Sequence, residues 1–304
     1  MTDTKTKCGV VAVLGAPNAG KSTLVNQLVG QKVAITSAKA QTTRTRMMGI
    51  ALHSGEDAET QMILVDTPGI FAPKRRLDRA MVSAAWEGAE AADALLLLVD
   101  PLKQRRHELE PLLEQIAARP ERKILVLNKV DVAKKEPLLA LAQELTEKVD
   151  FTEVYFISAL TGDGVPEMKD ALAALMPEGP WMYPEDQVSD ASERLLATEI
   201  TREQLYQQLH EELPYDSAVR PEKYIQRPDG SVEIHQQIVV MRDNQRAIVL
   251  GKGGSRIKEI GKAAREELSE LLGQKVHLFL HVKTDERWSE DKEMFEEMGL
   301  DWVR

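Results

Sequence analysis

Gly15-Ala16-Pro17-Asn18-Ala19-Gly20-Lys21-Ser22 follows the short apolar run Gly9-Val-Val-Ala-Val-Leu14 and leads into Thr23–Val29, which reads as a helix. A glycine-bounded turn between a strand and a helix lets backbone N–H groups wrap an anion, and the helix N-terminus faces that charge. The spacing puts the Lys21 ammonium on the outer phosphates of a nucleotide and the Ser22 hydroxyl on a magnesium ion. Gly15 to Thr23 is therefore the expected phosphate site.

Outward from this turn, strands and helices alternate. Met47–Leu52 and Gln61–Val65 flank the polar loop 53–59 as a hairpin, and Ala94–Val99, Lys123–Leu127 and Val154–Ile157 are further apolar strands. Helical stretches lie at Leu77–Ala91, Leu109–Ala118, Pro137–Val149 and Val165–Leu175. This order predicts an α/β domain, a mostly parallel sheet with helices on both faces. Pro177-Glu-Gly-Pro-Trp-Met-Tyr-Pro184 cannot be a regular element and reads as a linker, so the first domain is expected over residues 1–180 and the second over 181–304.

Three later strings sit at strand ends, where open α/β sheets bind ligands. Asp66-Thr67-Pro68-Gly69 offers a carboxylate for the magnesium shell and a Gly69 N–H that can sense the terminal phosphate, with Ile70 next. Asn128-Lys129-Val130-Asp131 offers an acid that accepts from N1–H and the exocyclic amine of guanine. Adenine would leave that buried acid unpaired, a loss of roughly 1–3 kcal/mol or more. Ser158-Ala159-Leu160 supplies a backbone N–H for guanine O6. The expected ligand is GTP or GDP.

These strings resemble the first, third, fourth and fifth motifs of translation-factor-type GTPases. The resemblance implies a second motif between Ser22 and Asp66, where Gln41-Thr42-Thr43-Arg44-Thr45 stands, and one of Thr42 and Thr43 as a further magnesium ligand. Lys21, Thr43 and Gly69 form the expected catalytic set. Where Ras-like proteins carry a water-orienting glutamine, this chain has Ile70, which implies slow turnover. Asn18 matches an asparagine that helps hold potassium in cation-stimulated relatives; it reads equally as a turn residue tolerating an unusual backbone. Asp93 and Asp100 bracket a strand, and His107 lies in a basic stretch; none is expected to be catalytic.

At 304 residues the chain is long enough for two domains. One cysteine, Cys8, excludes an intrachain disulfide, and no apolar run reaches the roughly 20 residues of a membrane span. With a polar N-terminus, these features predict a cytoplasmic protein. The net charge of −10 argues against nucleic acid, yet residues 242–265 hold seven basic side chains against Asp243 and Glu259. That stripe is locally positive, and local charge decides phosphate contact.

Beyond the linker come an amphipathic helix at Leu195–Leu213, strands near 219–226 and 232–241, and a short helix near 244–250. A longer helix follows to Leu272, then the strand Val276–Val282 and a charged terminal helix. Gly251-Lys252-Gly253-Gly254 joins the two middle helices and resembles the GxxG turn of a type II KH domain, which clamps about four nucleotides of single strand. Lys252, Arg256 and Lys258 are the expected phosphate contacts. A GTPase domain followed by a KH domain resembles the Era family. So do Lys39-Ala-Gln-Thr-Thr-Arg44, Asp66–Ile70, Pro177–Pro180 and Glu211-Glu-Leu-Pro-Tyr215. The likeness implies binding of 16S ribosomal RNA near its 3′ end, help in 30S subunit maturation, peripheral association with the inner membrane, and no need for more than a monomer.

Overall fold

The computed structural model describes residues 5–37, 39, 41–102 and 106–303, the side chains of 106–108 excepted. Ala40 and the His107 side chain, both named from the sequence, lie outside that set. The chain divides into two compact units: Met1–Ala34 with Thr43–Asp190, and Ile35–Thr42 with Ala191–Arg304.

In the first unit the elements follow the order β1 (Lys5–Leu14), α1 (Lys21–Val29), β2 (Met47–Ser54), β3 (Ala58–Asp66), α2 (Arg76–Glu90) and β4 (Ala94–Val99). Then come α3 (Arg106–Ala117), β5 (Arg122–Leu127), α4 (Lys135–Lys148), β6 (Glu153–Phe156) and α5 (Val165–Leu175). The sheet order is β2-β3-β1-β4-β5-β6, parallel except for the β2–β3 hairpin. Side chains alternate across a strand, so β1 serves both faces. Val11 and Val13 join Leu24 and Leu28 of α1 and Leu172 of α5, while Ala12 and Leu14 join Leu113 of α3 and Leu138 of α4. β4, Ala94-Leu-Leu-Leu-Leu-Val99, is buried throughout, as a strand covered on both faces must be. Because β1 pairs with both β3 and β4, the order reverses beside it, and the turn after β1 opens into the crevice of an open α/β sheet.

The sequence puts the domain boundary at residue 180, whereas the first unit runs to Asp190. The linker is irregular as expected but is stapled to the sheet. Cys8 N–H donates to Pro177 O (3.1 Å), Ile50 N–H donates to Val188 O (2.8 Å), and buried Gln61 bonds Met182 and Tyr183. The backbone of 177–190 finds its partners there, so it folds with the first unit.

The second unit contains α6 (Glu193–Gln208), β7 (Ser217–Gln226), β8 (Val232–Val240), α7 (Asp243–Leu250), α8 (Ser255–Leu271), β9 (Val276–Thr284) and α9 (Lys292–Glu297). β7 and β8 form an antiparallel hairpin, and β9 lies parallel to β8 at the sheet edge. Ile238, Val249, Ile260 and Val282 meet in one core cluster, and Ile200, Ile234, Ala264 and Leu268 in another.

Helix α6 departs from the expected amphipathic helix reaching Leu213. It stops at Gln208, since Leu209 is extended, and every residue from Ala197 to Tyr206 is buried. Three of its polar side chains, Arg202, Glu203 and Tyr206, find partners at Thr36, Gln41 and Thr42. Glu203 accepts from Thr36 N–H (2.9 Å), Tyr206 O–H donates to Gln41 O (3.2 Å), and Arg202 donates to Thr42 O and to Glu199. Lys39 caps the helix end at Tyr206 O and Leu209 O, where a cation opposes the negative pole of the dipole.

Candidate functional site

The turn after β1 is closed by its own lysine. Lys21 Nζ donates to Gly15 O (3.1 Å) and Ala16 O (3.0 Å), and burial pushes its pKa down to about 8 against the raising influence of Asp66. A buried ammonium held only by carbonyls is poised for an anion that can replace them.

Beside it three oxygen-bearing side chains converge. Ser22 Oγ donates to Asp66 Oδ2 (2.6 Å), Thr43 Oγ1 donates to the same oxygen (3.3 Å), and the two hydroxyls are 2.8 Å apart. All three residues are buried. Thr42 is directed elsewhere, its hydroxyl donating to Lys39 O (2.7 Å). Two hydroxyls and one carboxylate suit a hard cation that draws its other oxygens from water and phosphate. Among the described residues no cluster of three or more His, Cys, Asp or Glu offers an alternative metal site.

Asp66-Thr-Pro-Gly69 is tied to the turn: Thr67 Oγ1 donates to Val13 O (2.7 Å), and Ile70 N–H donates to Gly15 O (3.1 Å). A Cβ at Gly69 would lie 2.7 Å from Pro17 N, so only glycine allows this approach. The Ile70 side chain packs on the apolar cluster containing Leu14 and Leu97.

Asn128 joins three of the four nucleotide strings. Its Nδ2 donates to Ala19 O (2.8 Å) and its Oδ1 accepts from Ala159 N–H (2.8 Å). Lys129 reaches Asn18 O (3.0 Å) and pairs with Asp100, which also accepts from Leu102 N–H. The sequence does not mark this bridging by Asn128, because its partners lie 109 and 31 residues away.

One expectation needs correction. Asp131 is exposed and not buried, so an ill-matched base would leave a hydrated acid, not an orphaned one, unless bound nucleotide dries the pocket. Of the Ser158–Leu160 amides, Ser158 N–H is committed to Asp163 O (2.9 Å) and Ala159 N–H to Asn128, so guanine O6 must share or displace that bond or use Leu160. Asn18 takes the left-handed backbone (φ 64°) of the turn-residue reading. Asp93 is structural, accepting from Val10 N–H (2.8 Å).

In the second unit Lys252–Gly254 is a tight turn between α7 and α8, with Gly251, Gly253 and Gly254 at φ 70°, 61° and 76°. A Cβ on Gly253 or Gly254 would meet nothing within 4 Å, so this backbone stands open. Lys252 and Lys258 are exposed, but the Arg256 side chain is turned inward to Gln208 O and lies 3.8 Å from Glu259. Arg256 braces the turn, and only the two lysines are free to meet phosphate.

Residues 10–129 match the family model of the 50S ribosome-binding GTPases, and residues 212–289 match the KH domain model. The chain is 84% identical over 304 residues, all of both chains, to the GTPase Era of Erythrobacter litoralis. The chain belongs to the Era GTPase family. The Era of Agrobacterium fabrum is 54% identical over 299 residues, covering 98% of this chain and 93% of its own. An Aquifex aeolicus Era variant bound to GDP·AlF4− superposes with a TM-score of 0.90 at 38% identity, over 96% of this chain and 99% of its own. An Era in complex with MgGDPNP and nucleotides 1506–1542 of 16S ribosomal RNA gives the same score and identity over 97% and 99%.

Proposed function

We propose that this Era-family chain is a magnesium-dependent GTPase switch whose KH unit grips the 3′ region of 16S ribosomal RNA during 30S assembly in the cytoplasm. The observation that carries the reading is the meeting of Ser22, Thr43 and Asp66 beside the buried Lys21 ammonium.

In this reading Lys21 exchanges its carbonyl partners for β- and γ-phosphate oxygens, where a desolvated charge acts with little screening. Ser22, Thr43 and Asp66 would hold Mg2+, directly or through water, and the ion would supply positive charge against the phosphates. Thr43 rather than Thr42 is the threonine ligand, because only its hydroxyl reaches Ser22 and Asp66. Gly69 N–H meets the terminal phosphate, so loss of that phosphate is felt along Asp66–Ile70. Ile70 offers the attacking water no hydrogen bond, which leaves positioning to backbone and cations and makes intrinsic turnover slow. Asn18 would hold a potassium ion beside the α- and β-phosphates, supplying the charge an arginine finger gives elsewhere. Equal rates in potassium and sodium, in wild type and Asn18→Ala alike, would remove that element.

The RNA half rests on the open Lys252–Gly254 backbone and on the relative crystallised with 16S nucleotides 1506–1542. Among the described residues no helix is long and apolar enough to cross a membrane, so any membrane contact is peripheral in this proposal, and the working unit is a monomer. The decisive experiment pairs nucleotide competition with RNA filter binding at two salt concentrations. Guanosine nucleotides should displace labelled GDP and adenosine nucleotides should not; RNA affinity should fall with salt and with Gly253→Asp. Equal competition by adenosine nucleotides, or RNA binding indifferent to salt and to Gly253→Asp, overturns the corresponding half.

A further inference from the structure

The sheet of the second unit has two faces, and the RNA-binding reading uses neither side chain nor backbone of the outer one. On β9 the inward residues Leu280 and Val282 join the core with Val249, Ile257 and Ile260, while Phe279 points away and is 49% exposed. The strand registers align Lys223, His235 and Phe279 in one row across β7, β8 and β9. His235 stacks on Phe279, ring centroids 4.7 Å apart and planes at 21°, which holds the phenyl ring broadside in place. Lys223, Lys283 and His281 are exposed around it. On this side Glu233 is paired with Arg227, and Glu222 lies 3.4 Å from the His281 ring.

A pre-oriented aromatic ring flanked by cations is the arrangement on which a nucleic-acid base stacks while its phosphates find charge. Here the exposed apolar side chains, Phe279 and Ile225, stand among lysines and imidazoles. β9 is one of the two edge strands of the sheet, and its inner side packs against α7 and α8, the helices that the Lys252–Gly254 turn joins. We propose that the outer sheet face is a second contact for single-stranded RNA, with one base on Phe279 and flanking phosphates at Lys223 and Lys283. The proposal rests on the RNA-binding reading above and extends it to a longer RNA footprint.

The test uses the full chain and two mixed-sequence RNA pools, one of about four nucleotides, enough for the glycine turn, and one of about twelve, enough to reach a second site. By fluorescence anisotropy, Phe279→Ala should weaken the long pool roughly 5- to 150-fold, the value of one stacked base, and leave the short pool unchanged. Phe279→Trp should restore binding, and Lys223→Ala should flatten the salt dependence of the long pool by about 0.7 in log–log slope. An unchanged long-pool affinity overturns the proposal, as does an equal loss on both pools. Loss of 30S binding with free RNA unaffected also overturns it, and reassigns the face to a protein. If Gly253→Asp spares both pools, the RNA reading itself fails, an outcome distinct from any result at Phe279.

Discussion

The buried ammonium of Lys21 makes a measurable demand on the nucleotide-free protein. Its pKa falls from 10.5 in the unfolded chain to about 8 in the fold, first because burial strips its water. The sign follows from proton counts. Between pH 8 and 10.5 the unfolded chain holds a proton that the folded one has released, so stability rises with pH across that window. Below pH 8 both states are charged and the full cost of burying the ammonium, roughly 3 kcal/mol, is present. Above pH 10.5 it has gone. Chemical denaturation of nucleotide-free wild type and Lys21→Met from pH 7 to 11 isolates the effect, because subtracting the variant cancels every other titrating group. The difference should shift in favour of wild type by about 3 kcal/mol between the two ends, with most of the change above pH 8. A flat difference would mean that Lys21 is hydrated in the empty protein and that the closed turn is wrong. Saturating Mg·GDP should abolish the wild-type rise, because phosphate oxygens restore an anionic partner and return the pKa upward.

Three further outcomes follow from the same site. Asn128→Ala removes two buried hydrogen bonds of 2.8 Å and strands both partners, so the urea midpoint should report a loss of about 2 kcal/mol or more, with weakened GDP binding. Asp131→Asn should leave stability within about 0.5 kcal/mol, since the acid is exposed, yet cut GDP affinity roughly 5- to 150-fold and favour xanthosine diphosphate, whose 2-oxo group accepts from an amide N–H where guanine's 2-amino group donates. Thr43→Ala should raise the magnesium concentration needed for half-maximal GTP hydrolysis by tenfold or so, a change of about 1.4 kcal/mol, while Thr42→Ala leaves it unchanged; equal effects would refute the assignment.

How far the sequence discloses this molecule depends on whether a residue's partners are near it in the chain. Val165–Leu175 is found at the expected bounds because its apolar spacing and the preceding Gly164 are local signals. The Lys252–Gly254 turn is legible for the same reason. The linker is read as irregular, but its attachment to the first unit is not legible, since its hydrogen bonds go to Cys8, Ile50 and Gln61, more than a hundred residues earlier. In α6 the leucine stripe predicts one buried face, but Arg202, Glu203 and Tyr206 are buried by partners at 36–42, and no periodicity within the helix carries that information. Arg256 is counted with the phosphate-binding lysines because its charge is visible and the Gln208 carbonyl that captures it is not.

Thr42 and Thr43 show where this limit touches chemistry. The two are identical in type and adjacent, and each supplies one hydroxyl, so composition and spacing give them equal claim to the metal. What separates them is where each hydroxyl goes: Thr42 Oγ1 donates to Lys39 O, while Thr43 Oγ1 reaches Ser22 and Asp66. The Thr42 hydroxyl is thus spent on a main-chain carbonyl and takes no part in the cluster of Ser22, Thr43 and Asp66. Thr42→Val, which keeps the shape and the carbonyl but loses that bond, should therefore retain magnesium-dependent hydrolysis. Thr43→Val cannot.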